Sequence, residues 1–166
     1  MKFLSIKISR WEEILYGIFL REDKNWLVIK KNPGDYLLDG VSFINKSYIK
    51  KINEPFDKTA FRYKVFMNKF QNYNDNTFDD LDIRSMDSIF KNIYNKEEII
   101  ELGLENSDYV LIGFICKMNE KSFALEMYST SGNFLKIITI KYSNVRTLTL
   151  NTDYLNSIKD FLKKKT

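Results

Sequence analysis

The sequence has no histidine, one cysteine, two prolines and six glycines among its 166 residues. Without histidine the chain lacks the commonest general base, the usual zinc ligand and the side chain that changes charge near neutral pH. The lone Cys116 can form neither an internal disulfide nor a thiolate metal cluster. So few prolines and glycines leave no long flexible linker and no proline-rich docking segment. Long apolar runs are missing as well. The longest uncharged one is Tyr109 to Cys116, far below the ~20 residues a membrane helix needs. The start, Met1-Lys2-Phe3-Leu4-Ser5-Ile6-Lys7, meets charge before an apolar signal core could form. A soluble, cytoplasmic protein without membrane contact is expected, its thiol kept reduced.

Chemical signatures are equally sparse. No G-x-x-x-x-G-K, G-x-G-x-x-G or G-x-S-x-G motif occurs. The cluster Asp75, Asp79, Asp80, Asp82 does not fit a calcium loop, because the sixth position is Asp80 and the twelfth is Met86. It reads as a solvated loop before a helix. Adjacent carboxylates such as Glu12 and Glu13 point to opposite faces of a strand, so they make no acid/base pair. Cys116, amid Phe114, Ile115 and Met118, reads as a buried, inert thiol. The expectation is a protein that is not an enzyme and takes no cofactor and no metal.

What is present is aromatic and β-prone: 13 Phe and 10 Tyr, in a chain that is 44% hydrophobic with a net charge of only +4. That suits sheet packing and is too weak a charge to imply nucleic acid. The abundance of Lys, Asn and Ile suggests an AT-rich genome. The strongest signal is an internal repeat at an offset of 96 residues. Phe3, Leu4, Ile6 and Ile8 face Ile99, Ile100, Leu102 and Leu104. Ile14, Leu15, Gly17, Ile18 and Phe19 face Val110, Leu111, Gly113, Phe114 and Ile115. The correspondence returns at Val41/Ile137, Ile49/Val145 and Ile52/Leu148.

Each copy reads as five short strands. Phe3–Ile8 alternates with period two, and Ile14–Leu20 is apolar around Gly17, as in a strand that bends or approaches another backbone. Trp26–Lys30 follows a polar hairpin turn. Asn32-Pro33-Gly34-Asp35 is the strongest turn signal, with Gly34 expected to take a positive φ. A fourth strand is predicted from Tyr36–Leu38 and Val41–Ile44, and a fifth over Tyr48–Ile52. The second copy gives Ile99–Leu104, Tyr109–Lys117, Ser122–Tyr128, Phe134–Lys141 and Asn144–Leu150. Helices are predicted over Asp57–Phe70, from Ser85 to about Asn95, and from an Asp153 cap through Leu162. The organisation is therefore a first repeat over 1–56, a helical insert over 57–98, and a second repeat with a C-terminal helix over 99–166. Their net charges are +3, −1 and +2.

Leu15-Tyr16-Gly17-Ile18-Phe19-Leu20 followed by Asn25-Trp26-Leu27-Val28-Ile29 resembles the first motif of the Sm-like family. Ile44-Asn45-Lys46-Ser47-Tyr48-Ile49 and Ile140-Lys141-Tyr142-Ser143-Asn144-Val145 stand where its second motif would be. The resemblance covers about two thirds of the chain and points to a tandem Sm-like protein of bacterial origin. It implies an α+β, mainly β, fold: two small five-stranded bent antiparallel barrels related by duplication. It also implies association through the edges of strands four and five. The family's RNA-binding residues are not in place, since Asp23 and Asn25 are wrongly spaced and the Arg-Gly pair is absent.

The first functional reading is a non-enzymatic binding or assembly module, a homo-oligomer or the partner of another protein. Its candidate edge residues are Phe43, Ile44 and Ile138. The alternative is an RNA-binding protein that uses a basic, tyrosine-bearing rim of Lys46, Tyr48, Lys50, Lys51, Lys141, Tyr142 and Arg146. Lysines on such strands also serve to keep exposed edges from aggregating.

Overall fold

The computed structural model describes residues 2–54, 61–70, 83, 85–105 and 109–164. Among them lie β1 (Phe3–Ile8), β2 (Ile14–Glu22), β3 (Trp26–Lys31), β4 (Val41–Asn45), β5 (Ile49–Asn53), α1 (Phe61–Phe70) and α2 (Met86–Asn95). The second half supplies β6 (Ile99–Gly103), β7 (Leu111–Met118), β8 (Ser122–Tyr128), β9 (Phe134–Lys141), β10 (Thr147–Leu150) and α3 (Asp153–Lys163). The Asp75–Asp82 cluster and the start of the helix predicted from Asp57 lie outside the described residues.

Alternation along the strands sets up two apolar layers. On β3, Trp26 and Val28 enter one cluster while Leu27 and Ile29 enter another on the opposite face. All pairings are antiparallel, and the strands form a single sheet in the order β5-β1-β2-β3-β4-β10-β6-β7-β8-β9. The two halves share their registers at the 96-residue offset. Phe3 pairs with Ile18 and Ile99 with Phe114; Gly17 pairs with Lys31 and Gly113 with Met127. A bulge falls between Phe19 and Arg21 in one half and between Ile115 and Lys117 in the other. A Cβ on Gly17 would lie 2.3 Å from the Lys30 carbonyl oxygen, and one on Gly113 would lie 2.1 Å from that of Glu126. Both strands run so close to a neighbour that only glycine fits.

The expected pair of closed five-stranded barrels does not form. Within the first half, β4 and β5 are the outermost strands, yet one 3-10 turn, Lys46–Tyr48, joins them. Four strand spacings amount to about 19 Å, whereas three residues of 3-10 helix advance only about 6 Å. The half must curl strongly to bring those ends together. Tyr142–Asn144 does the same between β9 and β10. Neither curl is closed by a ladder. The outer edge of β4 instead pairs with β10, from Thr147 opposite Ile44 to Leu150 opposite Val41, and the sheet runs on, open, through both halves. An unpaired edge of β4 would leave backbone donors and acceptors unsatisfied, and β10 supplies their partners.

Each half carries a helix on equivalent strands. Phe66 of α1 packs on Phe3 and Ile18, while Leu155 and Ile158 of α3 pack on Ile99 and Ile112. The largest cluster joins Trp26 and Phe43 of the first half to Ile89 and Phe90 of α2 and to Phe123 and Leu148 of the second half. Ser85 caps α2 by accepting from the Ser88 N–H at 3.0 Å. Thr152, rather than the expected Asp153, caps α3, accepting from the Leu155 N–H at 3.0 Å.

Three local expectations are corrected. Tyr36–Leu38 is turn and loop, and β4 begins at Val41. In the turn before it the positive φ, 40°, falls on Asp35 and not on Gly34. The Asn32 amide donates to the carbonyls of Gly34 and Asp35, each at 3.2 Å, and so holds the loop. Cys116 is exposed, because it is the extra residue of the bulge and has no partner opposite it on β8.

Candidate functional site

Two outer edges and one internal joint stand out. The edges are β5 and β9, the terminal strands of the sheet. On β9, Phe134, Leu135 and Ile137 are exposed at 56%, 52% and 57%, and on β5 Ile52 is exposed at 45%. Lone exposed apolar residues are ordinary, but three along one strand whose outer edge has no strand partner among the described residues make a template for another strand.

The joint is β4 against β10. The hydroxyls of Ser42 and Thr149 share a buried hydrogen bond of 2.8 Å. The Asn45 amide donates to the Val145 carbonyl at 3.0 Å, and its carbonyl oxygen accepts from the Ser47 N–H at 3.1 Å. Trp11, from the turn after β1, reaches across so that its indole N–H donates to the Leu104 carbonyl at 2.8 Å. Gly103 makes room for it, since a Cβ there would lie 2.4 Å from the Trp11 ring.

Above this joint opens a cleft of about 790 Å³ lined by Ser9, Arg10, Tyr48, Leu104, Glu105, Tyr109, Asn144 and Arg146. Arg146 is 5% exposed, donates to the Ser9 carbonyl, and lies 4.7 Å over the Tyr48 ring. The Tyr48 hydroxyl donates to the Ser143 carbonyl. Arg10, in a left-handed conformation at φ 65°, pairs with Glu105 at the mouth. Burial pulls the Arg146 guanidinium below its ordinary pKa; the charge of Tyr48 opposes this and the charge of Arg10 adds to it.

Of the rim residues, only Tyr48 and Arg146 meet in this cleft. Lys46 pairs with Glu22 at 2.8 Å. Lys50 and Lys51 stand exposed on the outer edge strand β5, and Lys141 is exposed at the end of β9. Tyr142 is a core residue, 8% exposed, packed between Phe90 and Phe123, with its hydroxyl donating to the Asn119 carbonyl at 3.2 Å. The expected edge residues divide likewise. Phe43 and Ile44 are fully buried in the internal joint, and Ile138 is half-buried on β9. The exposed apolar positions of that edge are its neighbours Leu135 and Ile137.

Sequence reasoning missed Arg10, Glu105 and Trp11. The first two are isolated charges 95 residues apart, and nothing local brings them together. Trp11, flanked by Arg10 and Glu12, carried a signal in its isolation: a large aromatic in a polar turn needs something to cover it.

A second hollow of about 480 Å³ lies between β7, β8 and α3, lined in part by Cys116, Glu126, Tyr128 and Lys159. There Tyr128 donates to the Glu126 carboxylate. That hydrogen bond, burial and the negative charge of Glu126 push the phenol up to about 12. Among the described residues no group of three or more acidic or thiol side chains is placed to hold a metal ion, and no helix is long and apolar enough to cross a membrane. Neither a known protein family, nor a curated protein, nor a solved structure matches this chain.

Proposed function

We propose that the chain is a non-enzymatic assembly module that associates with copies of itself, β9 of one chain pairing antiparallel with β5 of the next. One observation carries this reading. Inside the chain the fourth strand of the first half pairs with the fifth strand of the second. The two strands left at the sheet edges are the fifth of the first half and the fourth of the second. They are the same two kinds of edge, held in the same registers relative to their own halves. The 96-residue offset maps Ser42 opposite Thr149 onto Ile138 opposite Asn53 of a second copy. Such a head-to-tail contact is heterologous, so it closes into a ring or grows as an open chain.

The register makes the test specific. In a Cys116→Ser background, Asn53→Cys and Ile138→Cys place two thiols within disulfide reach across the new joint. Mild oxidation is expected to give covalent multiples of the 19.8 kDa chain, and Ile137→Glu, which this register sets against Glu54, should lower the sedimenting mass while leaving the circular dichroism unchanged. A wild-type chain that sediments as a monomer at every concentration, with no cross-linked species, overturns the proposal. Nuclease-sensitive material that co-purifies and carries the larger mass would favour RNA instead.

A further inference from the structure

The cleft over the β4–β10 joint is lined by described residues of one chain, and binding there does not rest on the proposed association between chains. Its two guanidinium groups are placed differently. Arg146 is buried, and among the described residues the one acceptor for its five N–H donors is the Ser9 carbonyl. Its other nitrogens are not sealed in the core, where Trp26 Nε1 is the one buried side-chain nitrogen or oxygen without a partner among the described residues. Arg146 itself lines the cleft. Arg10 is exposed and already holds a carboxylate, that of Glu105. The chain thus shows, in Glu105, the kind of group the cleft accepts, and leaves one buried cation with donors to spare.

We propose that this cleft binds a small organic anion, a carboxylate or phosphate monoester on a flat ring, its charged end shared by Arg10 and Arg146. The volume, about 790 Å³, falls in the range of small-molecule sites and far exceeds a bare oxyanion. Tyr109, 60% exposed at the cleft wall, offers a ring face, and Asn144 an amide. Guanidinium forks suit both carboxylate and phosphate geometry. Glu105 competes for Arg10, so the incoming anion displaces an ion pair that is exposed and therefore weak.

Titration calorimetry with 4-hydroxybenzoate, phenyl phosphate and inorganic phosphate tests this. Saturable binding of a ring-bearing anion at a Kd below about 1 mM, with inorganic phosphate about tenfold weaker, is expected; which ring-bearing probe binds tighter identifies the carboxylate or the phosphate source. Arg146→Lys removes the fork and should weaken binding about tenfold. Because Arg146 is buried and its replacement can disturb folding, the deciding variant is the exposed Glu105→Gln. Removing the competing carboxylate should tighten binding several-fold, an effect that a purely structural ion pair would not produce. No saturable binding of either ring-bearing probe, or equal affinity in wild type and Glu105→Gln, overturns the proposal.

Discussion

Trp11 and Gly103 should be energetically coupled, because one occupies the space that the other leaves empty. Trp11 is 6% exposed and packs in the first half's core, with its indole N–H on the Leu104 carbonyl of the second half. Truncation to alanine removes a buried aromatic, costing about 3–5 kcal/mol, and a cross-half hydrogen bond worth about 1 kcal/mol. Against a total stability of about 5–15 kcal/mol, Trp11→Ala would leave the chain marginal. Trp11→Phe keeps part of the ring and should cost about 1–2 kcal/mol. Gly103→Ala puts a Cβ 2.4 Å from Trp11 Cη2 and 2.3 Å from Thr147 Oγ1, an overpacking of about 1–3 kcal/mol. The shorter phenylalanine ring frees space, so the double variant should be less destabilised than the sum by about 1 kcal/mol or more. Guanidinium unfolding followed by circular dichroism and by fluorescence measures all four proteins, since buried Trp26 remains as a reporter. The two probes should coincide, because a single cluster spans both halves. Additivity within about 0.5 kcal/mol would refute the contact and with it the account of how the halves are locked.

The glycines provide a second test. Gly17→Ala and Gly113→Ala each drive a Cβ into a backbone oxygen at 2.3 and 2.1 Å, and each should cost more than about 2 kcal/mol by equilibrium unfolding. Gly34→Ala meets nothing within 4 Å and should be neutral or stabilising by up to about 1 kcal/mol; similar losses at all three would show that backbone entropy, not crowding, sets the effect. Tyr128 supplies a pH test. Its phenol is raised from 10.0 to about 12 in the folded chain, so the folded state holds the proton more tightly than the unfolded one. The stabilisation is complete below pH 10 and is lost as pH rises toward 12. Glu126→Gln removes both the charged acceptor and the negative charge, and should return the titration toward 10.0. The difference in phenolate absorbance between wild type and Tyr128→Phe measures it, and identical curves with and without Glu126→Gln would refute the assignment.

Most of the strands were legible because their side-chain pattern is local. β8 alternates intermediate and buried residues along its whole length, and a period of two is readable without knowing the partner. The glycine positions were legible for the same reason: Gly17 and Gly113 interrupt apolar runs, where only close backbone approach justifies them. Tyr142 was not, since Lys141, Ser143 and Asn144 around it read as surface. It is buried because α2 brings Phe90 to it from elsewhere in the chain. Cys116 was misread because an apolar neighbourhood does not reveal a bulge, which depends on the register against β8. The open sheet was beyond reach for a related reason. β4 and β9 carry similar patterns, and only the three-dimensional path decides that one meets β10 and the other stays an edge.

That choice of edge has a chemical record in the positions 96 residues apart. The joint inside the chain has the Ser42–Thr149 hydroxyl pair, the Asn45 amide on Val145, and Trp11 seated over Gly103. The residues 96 positions away are Ile138 and Asn53 for the hydroxyl pair, Lys141 for Asn45, Lys7 for Gly103 and Ser107 for Trp11. None of the internal anchors is repeated. Moreover, the β9–β5 register would set Lys141 against Lys50, where the inner joint has Asn45 against Arg146, and like charges facing each other across a strand pair weaken it. On the proposed reading, the two joints are therefore unequal: the inner one is part of the fold, while the outer one is weaker and reversible. Equal halves would have given the same contacts between chains as within one. Differences between the halves at the joint residues would then make the single chain the stable unit and its proposed association the step that concentration controls.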